Sequence, residues 1–203
     1  MKLTFTRHGE SLANTLNIIS NRDLPHPLTP KGREQAAALA SRLRGRGITR
    51  VYTSPILRAL ETAEIVAKSL NQSVQIANAL REYDCSILEG RGDAEAWELH
   101  ERTIADWLAA RRRDDCPEGG ETFKDIRDRF VPFIESLVED IGDSDEHLLL
   151  VTHGGILLLG LPHVLTNVSF DKARSLPFEN TFLIEAEQTQ RGLICRVWGE
   201  RAL

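Results

Sequence analysis

The sequence predicts an α/β protein, a three-layer α/β/α sandwich around a mostly parallel β-sheet. Apolar segments of strand length alternate along the chain with segments whose apolar residues recur at helical spacing. One segment, HLLLVT at 147–152, contains a continuous apolar run, which is typical of a central parallel strand buried on both faces. A chain of 203 residues with 41% hydrophobic residues can bury one substantial core. We therefore expect a single domain over residues 1–203.

The first strand and the first long helix are predicted from local patterns. Residues 3–6 alternate between apolar and polar side chains, which is the period of a half-buried strand. Thr29 is a favoured N-cap residue and Pro30 suits the first helical position. The helix that follows has an apolar face at helical spacing, formed by Ala36, Leu39, Ala40 and Leu43.

A second strand and helix come next. RVYT at 50–53 has the composition of a short strand, and Ser54 and Pro55 are interpreted as the cap and first residue of a helix. VQIA at 74–77 is interpreted as another strand. The apolar face of the helix between them consists of Ile56, Leu60, Ala63, Ala67 and Leu70.

The second half of the chain continues the alternation. A helix is predicted from Asp93 to Arg113, with Trp97 on its apolar side. Its basic end, Arg111-Arg112-Arg113, is interpreted as a solvated helix terminus, and a site for a second phosphate or a carboxylate stays open as an alternative. A turn at CPEGGE separates it from a long helix over 123–141 that Pro132 would kink. Strands near 181–186 and 193–198 finish the chain.

Composition excludes several classes of protein. The 25 Lys and Arg against 30 Asp and Glu give a net charge of −5, which argues against a nucleic-acid partner. Cys85, Cys116 and Cys195 show no CxxC spacing and fit a reducing compartment, and Cys85 is expected to serve packing. The apolar stretch 148–165 holds two histidines, a Gly-Gly pair and a proline, so a buried strand, turn and helix are favoured over a membrane span. The N-terminus lacks the apolar core of a signal peptide, and we expect a cytoplasmic protein with no membrane partner.

Basic residues follow three of the predicted strands. The first strand ends in Thr-Arg7-His8-Gly, the strand at 50–53 is followed by Arg58, and the strand at 147–152 is followed by His153 and a Gly-Gly pair. Parallel sheets bind ligands at the carboxyl ends of their strands, where helix N-termini also favour anions. Four potentially cationic side chains need a counter-charge there, and arginine matches phosphate oxygens in bidentate fashion. The sequence therefore predicts a site for a small phosphorylated molecule.

Four motifs carry a resemblance to a known family. TRHGES with Asn14, SPILRALETAE, LREYDCSILEG and VTHGG resemble, in order and spacing, the signatures of the histidine phosphatase superfamily, in its phosphoglycerate-mutase-like branch of single-domain members. The resemblance runs from residue 3 to about residue 185. It implies a phosphoglycerate-mutase-like fold, with a helical insertion at about 90–120 covering the active site.

The resemblance also implies a role for each site residue. His8 matches the nucleophile that forms a phosphohistidine, and only an unprotonated imidazole nitrogen can attack. Glu82 matches the general acid that protonates the leaving oxygen, and Asp84 is the alternative donor if the segment is extended. The residues that match phosphate-binding positions are Arg7, Arg58 and His153, with the backbone N–H of Gly154, and Asn14, for which a turn-forming role is the alternative.

The resemblance leaves the activity between three alternatives. We predict a phosphatase that needs neither metal nor cofactor and releases inorganic phosphate from a small phosphorylated metabolite. The alternatives are a phosphoglycerate mutase and a catalytically idle module that binds phosphorylated ligands. Many family phosphatases carry G-x-W-E-G after the acid, whereas Ser86 and Leu88 replace the glycine and tryptophan here, so the substrate stays open. The oligomeric state is also open, a homodimer included.

Overall fold

A seven-stranded sheet forms the centre of the molecule in the computed structural model, which describes residues 1–22, 24–109 and 115–203. The strand order is β3-β2-β4-β1-β5-β6-β7. The strands are β1 (Lys2–Arg7), β2 (Arg50–Thr53), β3 (Val74–Ile76), β4 (His147–Thr152), β5 (Leu183–Thr189), β6 (Gly192–Trp198) and β7 (Arg201–Ala202).

Helices cover both faces of this sheet. Their bounds are α1 (Leu12–Leu16), α2 (Pro30–Leu43), α3 (Leu57–Leu70), α4 (Ala94–Leu108), α5 (Phe123–Ile141), α6 (Gly154–Val164) and α7 (Phe170–Arg174), with short 3-10 turns at Asn78–Leu80 and Ser86–Leu88. Helix α2 begins as predicted, because the Thr29 hydroxyl accepts a hydrogen bond from the backbone N–H of Gly32 and Pro30 follows it. Helix α5 contains Pro132 and extends on both sides of it.

Two buried clusters lie on opposite faces of the sheet. On one face, α2 and α3 pack against Val51, Leu149 and Val151. On the other face, α5 and α6 pack against Phe5 and its neighbours in β4, Leu148 and Leu150. Every residue of β4 is buried, as a strand between two helical layers requires. The predicted three-layer α/β/α architecture is confirmed.

The parallel centre of the sheet aligns three strand ends. Strands β1 and β4 are parallel with Arg7 opposite Thr152, and β2 and β4 are parallel with Thr53 opposite Val151. The backbone N–H of His8 donates to the carbonyl of Thr152 at 3.0 Å. The residues that follow β1, β2 and β4 therefore emerge at the same edge of the sheet, as the sequence predicts.

The structure corrects several predicted bounds. Helix α3 begins at Leu57 rather than at Pro55, because the Ser54 hydroxyl accepts from the Ile56 N–H in a tight turn that precedes the helix. The late strands lie at 183–189 and 192–198, and they extend the parallel centre in antiparallel fashion. A further two-residue strand, β7, follows them. Arg111-Arg112-Arg113 and the predicted helix end there lie outside the described residues.

The longest apolar stretch forms a strand and a helix, as predicted. It divides between β4 and α6, and both Leu157 and Leu161 are fully buried within the protein. Across the described ranges, none of the helices has both the length and the apolar character that a membrane crossing requires.

Candidate active site

The junction after β1 is built by close backbone contacts. A Cβ atom on Gly9 would lie 2.5 Å from the carbonyl oxygen of Gly32, so the two chain segments can meet only where this side chain is absent. The N–H of Gly9 donates to the Thr62 hydroxyl at 3.0 Å, and that hydroxyl donates to the carbonyl of Arg58 at 2.7 Å. Thr62 thus joins the turn after β1 to the first turn of α3, which carries Arg58.

The imidazole of His8 is fixed at both nitrogens. Its Nδ1 lies 2.7 Å from the carbonyl oxygen of Gly9, and since a carbonyl only accepts, Nδ1 carries the proton. Its Nε2 accepts a hydrogen bond from the Arg58 Nε–H at 2.9 Å. The unprotonated nitrogen of a buried, neutral imidazole therefore faces an arginine in the cavity.

The surroundings keep His8 neutral. Burial lowers the pKa of His8 well below its usual 6.5, and the nearby charges of Arg58 and Arg7 lower it further. His153 lies beside it with the ring centroids 5.1 Å apart, and burial followed by the same arginines lowers its pKa as well. The positive charge of the site accordingly resides on the arginines.

Arg58 is buried and Arg7 is half-buried, and each has part of its hydrogen-bonding capacity unused. Burial lowers the pKa of Arg58 to about 10, and it also lowers the pKa of Arg7. Arg7 Nη1 donates to the carbonyl of Phe178 at 2.7 Å. Arg7 Nε and Arg58 Nη1 are buried without a hydrogen-bond partner among the described residues. Buried donors of this kind call for an acceptor, and an oxyanion in the cavity would supply one.

His153 is held by the turn that precedes α3. Its ring Nε2 and the Ser54 hydroxyl are hydrogen-bonded at 2.8 Å, and its Nδ1 is buried with no partner in the described parts of the chain. The sequence assigns Ser54 only a capping role, whereas the structure shows it positioning a histidine 99 residues further along.

Glu82 closes the cavity at the N-terminus of α6. Its carboxylate accepts hydrogen bonds from the N–H groups of Gly155 at 2.9 Å and Ile156 at 3.1 Å. A Cβ on Gly155 would come within 2.5 Å of this carboxylate and of the Tyr83 ring, so glycine is required there. Burial raises the pKa of Glu82 above 4.5 despite these hydrogen bonds and the nearby arginines. A raised pKa favours the protonated carboxyl, which can donate its proton.

Asp84, the alternative donor, faces elsewhere. Arg22 Nε donates to its carboxylate at 2.9 Å, and the N–H of Ser86 donates to it at 2.7 Å. The Asp84 side chain is one-third exposed and is absent from the described lining of the cavity. Glu82 and Asp84 therefore do not share a face: the Glu82 carboxylate binds the N-terminus of α6, whereas the Asp84 carboxylate binds Arg22 and the N–H of Ser86.

Asn14 and Gly154 complete the predicted set. Both line the same cavity as His8. The side-chain Oδ1 of Asn14 accepts hydrogen bonds from the N–H of Ser11 at 3.0 Å and from the Ser11 hydroxyl at 3.1 Å. Asn14 therefore also has the local turn-stabilising role that was the alternative in the sequence analysis. Gly154 is the first residue of α6 and its Cα faces the Arg7 guanidinium, since a Cβ there would lie 3.7 Å from Arg7 Nε.

The predicted site residues other than His153 line one cavity of about 320 Å³. His153 is fully buried beside the His8 ring and is absent from the described lining. Arg7, His8, Arg58 and Glu82 line the cavity together with Tyr83 and helix α4. A wider groove of about 870 Å³, along 174–182 and 198–201, contains none of these four groups, so volume alone would have indicated the wrong site. Cys85 is fully buried in the core and burial raises its pKa, which fits packing rather than nucleophilic chemistry.

Glu89 fixes the loop that forms another wall of the cavity. Its carboxylate accepts from the backbone N–H of Asn21 at 2.8 Å and of Arg22 at 3.2 Å. At the same junction, the Ile19 N–H donates to the carbonyl of Arg91 and the Gly90 N–H donates to the carbonyl of Ile19, both at 2.8 Å. Glu89 and Gly90, the Glu-Gly pair that LREYDCSILEG shares with the family pattern, are the sequence signal for this contact. The motif alone does not indicate that Glu89 binds the backbone of Asn21 and Arg22.

In the described ranges, no group of three or more His, Cys, Asp or Glu side chains is arranged to hold a metal ion. The fold and the site define a class of protein: an α/β enzyme whose active-site histidine and arginines face a cavity at the carboxyl edge of its sheet.

This chain belongs to the histidine phosphatase superfamily (branch 1), whose family model matches residues 3–201. It is 27% identical over 198 residues to fructose-2,6-bisphosphatase TIGAR B of Danio rerio, covering 82% of this chain and 75% of the relative. It is 32% identical over 174 residues to a Salmonella paratyphi B protein named "Probable phosphoglycerate mutase GpmB", covering 80% and 76%. The crystal structure of the α-ribazole phosphatase from Shigella flexneri superposes with a TM-score of 0.82 and 26% identity, covering 100% of this chain and 98% of that one.

Proposed function

We propose that the protein is a phosphomonoester hydrolase that acts on a small phosphorylated metabolite through a phosphohistidine on His8. The observation that carries the proposal is the state of the His8 imidazole. Its Nδ1 is protonated and bonded to Gly9, while its Nε2 is unprotonated and directed at Arg58. A neutral nitrogen nucleophile beside the guanidinium groups of Arg7 and Arg58 suits attack on a phosphate ester.

In the first step, Nε2 of His8 attacks phosphorus and the bond between phosphorus and the ester oxygen breaks. Glu82 gives its proton to the leaving oxygen, so an alcohol departs rather than an alkoxide. Arg7 and Arg58 bind the phosphoryl oxygens, which spreads the negative charge of the transition state. The further phosphoryl contacts are assigned to His153, Asn14 and the N–H of Gly154.

In the second step, water attacks the phosphohistidine. The Glu82 carboxylate accepts a proton from that water, the bond between phosphorus and Nε2 breaks, and inorganic phosphate forms. Glu82 is thereby protonated again and His8 returns to its neutral form. The cycle consumes one water molecule and needs no further reactant.

Two observations bear on the alternatives. The relatives named TIGAR B and α-ribazole phosphatase are phosphatases by name, whereas the likeness to GpmB supports a mutase as the second candidate. A mutase discharges the phosphohistidine onto a second hydroxyl group instead of water. A module that only binds phosphorylated ligands has no use for a buried carboxyl such as Glu82, so we do not favour it.

The proposal extends to the organisation of the chain. Residues 1–203 form one catalytic domain, and the segment at about 90–120, which includes α4, covers the active site as a helical insertion. Trp97, His100 and Ile104 on α4 line the cavity, which supports this assignment. We place the protein in the cytoplasm, and a homodimer is compatible with the proposal.

The pH dependence follows from the two pKa shifts. The free enzyme needs neutral His8 and protonated Glu82. Because the pKa of His8 is lowered, its imidazole stays neutral and the enzyme stays active as the pH falls well below 6.5. Because the pKa of Glu82 is raised, its carboxyl stays protonated above pH 4.5, which extends the active range upwards from that value. We expect kcat/KM for an alkyl phosphate to fall as pH rises through the pKa of Glu82. Glu82→Gln should remove that component of the alkaline decline, and an unchanged profile would contradict the assignment.

Metal independence is a further expected result. Arg7 and Arg58 already supply the positive charge that Mg²⁺ provides at other phosphoryl-transfer sites. Exhaustive chelation should leave the rate of phosphate release unchanged. Vanadate should inhibit well below the substrate concentration, because its five-coordinate adduct resembles the transferring group. A rate that collapses with chelator and returns with metal would contradict the proposed function.

A further inference from the structure

The cavity extends well beyond the phosphoryl-binding groups. Its volume of about 320 Å³ corresponds to roughly ten water molecules at about 30 Å³ each, which is more than a phosphate group fills. The remainder is lined largely by apolar and aromatic side chains: Ile18, Ile19, Trp97, Ile104, Leu158 and Phe178. This second part of the cavity, the distal wall, faces the position where the leaving alcohol would lie.

The distal wall carries no charge in the described parts of the chain. The charged side chains that line the cavity are Arg7, Arg58 and Glu82, and the proposed chemistry uses all three. His100 also lines the cavity, but burial lowers its pKa to about 4, so its ring is neutral at pH 7. A second phosphate or a carboxylate on the leaving group would find no cation among the described lining residues.

Trp97 of the distal wall and the neighbouring ring of His100, which also lines the cavity, are held in fixed positions. The Trp97 and His100 centroids are 5.2 Å apart in an edge-to-face arrangement, and His100 stacks on Tyr83 at 5.7 Å. His100 Nε2 and the Tyr83 hydroxyl are hydrogen-bonded at 2.5 Å, and Trp97 Nε1 donates to the carbonyl of Asn17 at 2.9 Å. Rings anchored in this way give a preformed surface on which another flat ring can pack at little entropic cost.

We propose that the substrates are monophosphate esters of alcohols that carry an uncharged aromatic group, with Trp97 and His100 as the residues that select them. The inference rests on the proposed phosphatase activity and adds the class of leaving group. The phosphoryl group binds at Arg7 and Arg58, and the aromatic group packs against the rings of α4.

The test uses four phosphates of primary alcohols, so that the leaving oxygens are similar: 3-phenylpropyl phosphate, n-propyl phosphate, glycerol 3-phosphate and 3-phosphoglycerate. We expect kcat/KM for the phenyl substrate to exceed that for n-propyl phosphate by on the order of 10- to 100-fold, since ring burial and ring contacts add to binding. Most of the difference should appear in KM. The two substrates with polar leaving groups, glycerol 3-phosphate and 3-phosphoglycerate, should have kcat/KM values no higher than that of n-propyl phosphate.

Trp97→Ala should lower kcat/KM for the phenyl substrate far more than kcat/KM for n-propyl phosphate, which reduces the preference to within a few-fold of unity. Trp97→Phe keeps a ring and should keep most of the preference, which separates ring contact from the hydrogen bond to Asn17. Glu98→Ala, an exposed neighbour on α4, is the matched control and should alter neither substrate. Should Trp97→Ala fail to fold, the comparison of the four substrates on the wild-type protein still decides.

The outcomes separate the two proposals. Hydrolysis of n-propyl phosphate or glycerol 3-phosphate with no gain from the phenyl ring would overturn the substrate class and leave the phosphatase assignment standing. A preference for 3-phosphoglycerate would overturn it in the same way. Absence of phosphate release from all four substrates would instead reject the proposed function on which the inference rests.

Discussion

Replacing His8 with alanine is expected to abolish turnover, with kcat lowered by at least about 10⁴-fold, because the variant lacks the imidazole nitrogen that carries the phosphoryl group in the proposed mechanism. Quenching the wild-type protein rapidly with labelled substrate should trap an acid-labile, base-stable label on His8. The His8→Ala variant should show no such label. Full activity in this variant would end the proposed mechanism.

A matched control distinguishes lost chemistry from lost structure. His147 is also buried and hydrogen-bonded at both ring nitrogens, to Thr4 and to the carbonyl of Arg46, but it lies at the opposite end of β4. His147→Ala should lower the melting temperature and retain kcat. His8→Ala should retain a folded circular dichroism spectrum while losing kcat. If both variants lost activity in parallel with stability, the effect at His8 would be structural.

Glu82→Gln is expected to reduce activity according to the leaving group. Alkyl phosphates should lose on the order of 10²- to 10⁴-fold in kcat/KM, which reports the first step, because an alkoxide needs the proton of a general acid. p-Nitrophenyl phosphate should lose less than about tenfold in kcat/KM, because nitrophenolate leaves without a proton, whereas kcat for both substrates also includes the step in which Glu82 accepts a proton from water. Arg58→Ala should slow both substrates comparably, by on the order of 10²- to 10³-fold, because it acts on the phosphoryl group itself.

Asp84→Asn is the control for the proton donor. Its carboxylate is already bound by Arg22 and by the N–H of Ser86, so this variant should keep the wild-type dependence on the leaving group. Equal losses on both substrates for Glu82→Gln, with a selective loss for Asp84→Asn, would transfer the donor role. In the same assay, rapid conversion of 3-phosphoglycerate to 2-phosphoglycerate would favour the mutase over the phosphatase.

The position of the site could be predicted from sequence because it follows from parallel strands. Arg7 and His8 end β1 and His153 follows β4, and parallel neighbours in register must bring these residues to one edge. Arg58 is one turn into the helix after β2, so it reaches the same edge. Short motifs at strand ends thus identified groups that are far apart in the chain, without knowledge of any side-chain contact.

The walls of the site could not be predicted, because they depend on contacts between distant segments. The Arg22–Asp84 pair, the bond between Tyr83 and His100 and the attachment of the Asn21 loop to Glu89 have no local sequence pattern. The predicted start of α3 at Pro55 differs from the observed start at Leu57 for a related reason. A Ser-Pro pair resembles a helix cap, but in the folded protein the Ser54 hydroxyl is hydrogen-bonded to the His153 ring and accepts from the N–H of Ile56 in a turn before the helix.

The antiparallel half of the sheet was also beyond prediction. The strand at 183–189 has the composition of any half-buried strand, and nothing in it specifies that β1 will be its partner or that the pair will be antiparallel. That pairing nevertheless matters for the site. It places Thr181 so that its N–H donates to the carbonyl of Arg7, and Asn180 so that its side chain donates to the carbonyl of His8.

The buried guanidinium atoms without partners, Arg7 Nε and Arg58 Nη1, have a consequence for the working cycle. In the proposed mechanism they bind the phosphoryl oxygens, and the inorganic phosphate left after hydrolysis presents oxygens of the same kind as the ester. We therefore expect product to compete with substrate for the resting protein, and each turnover to end only when phosphate leaves the cavity. Tighter binding of the phosphoryl oxygens is expected to slow the release of phosphate, so kcat depends both on the chemical steps and on product release.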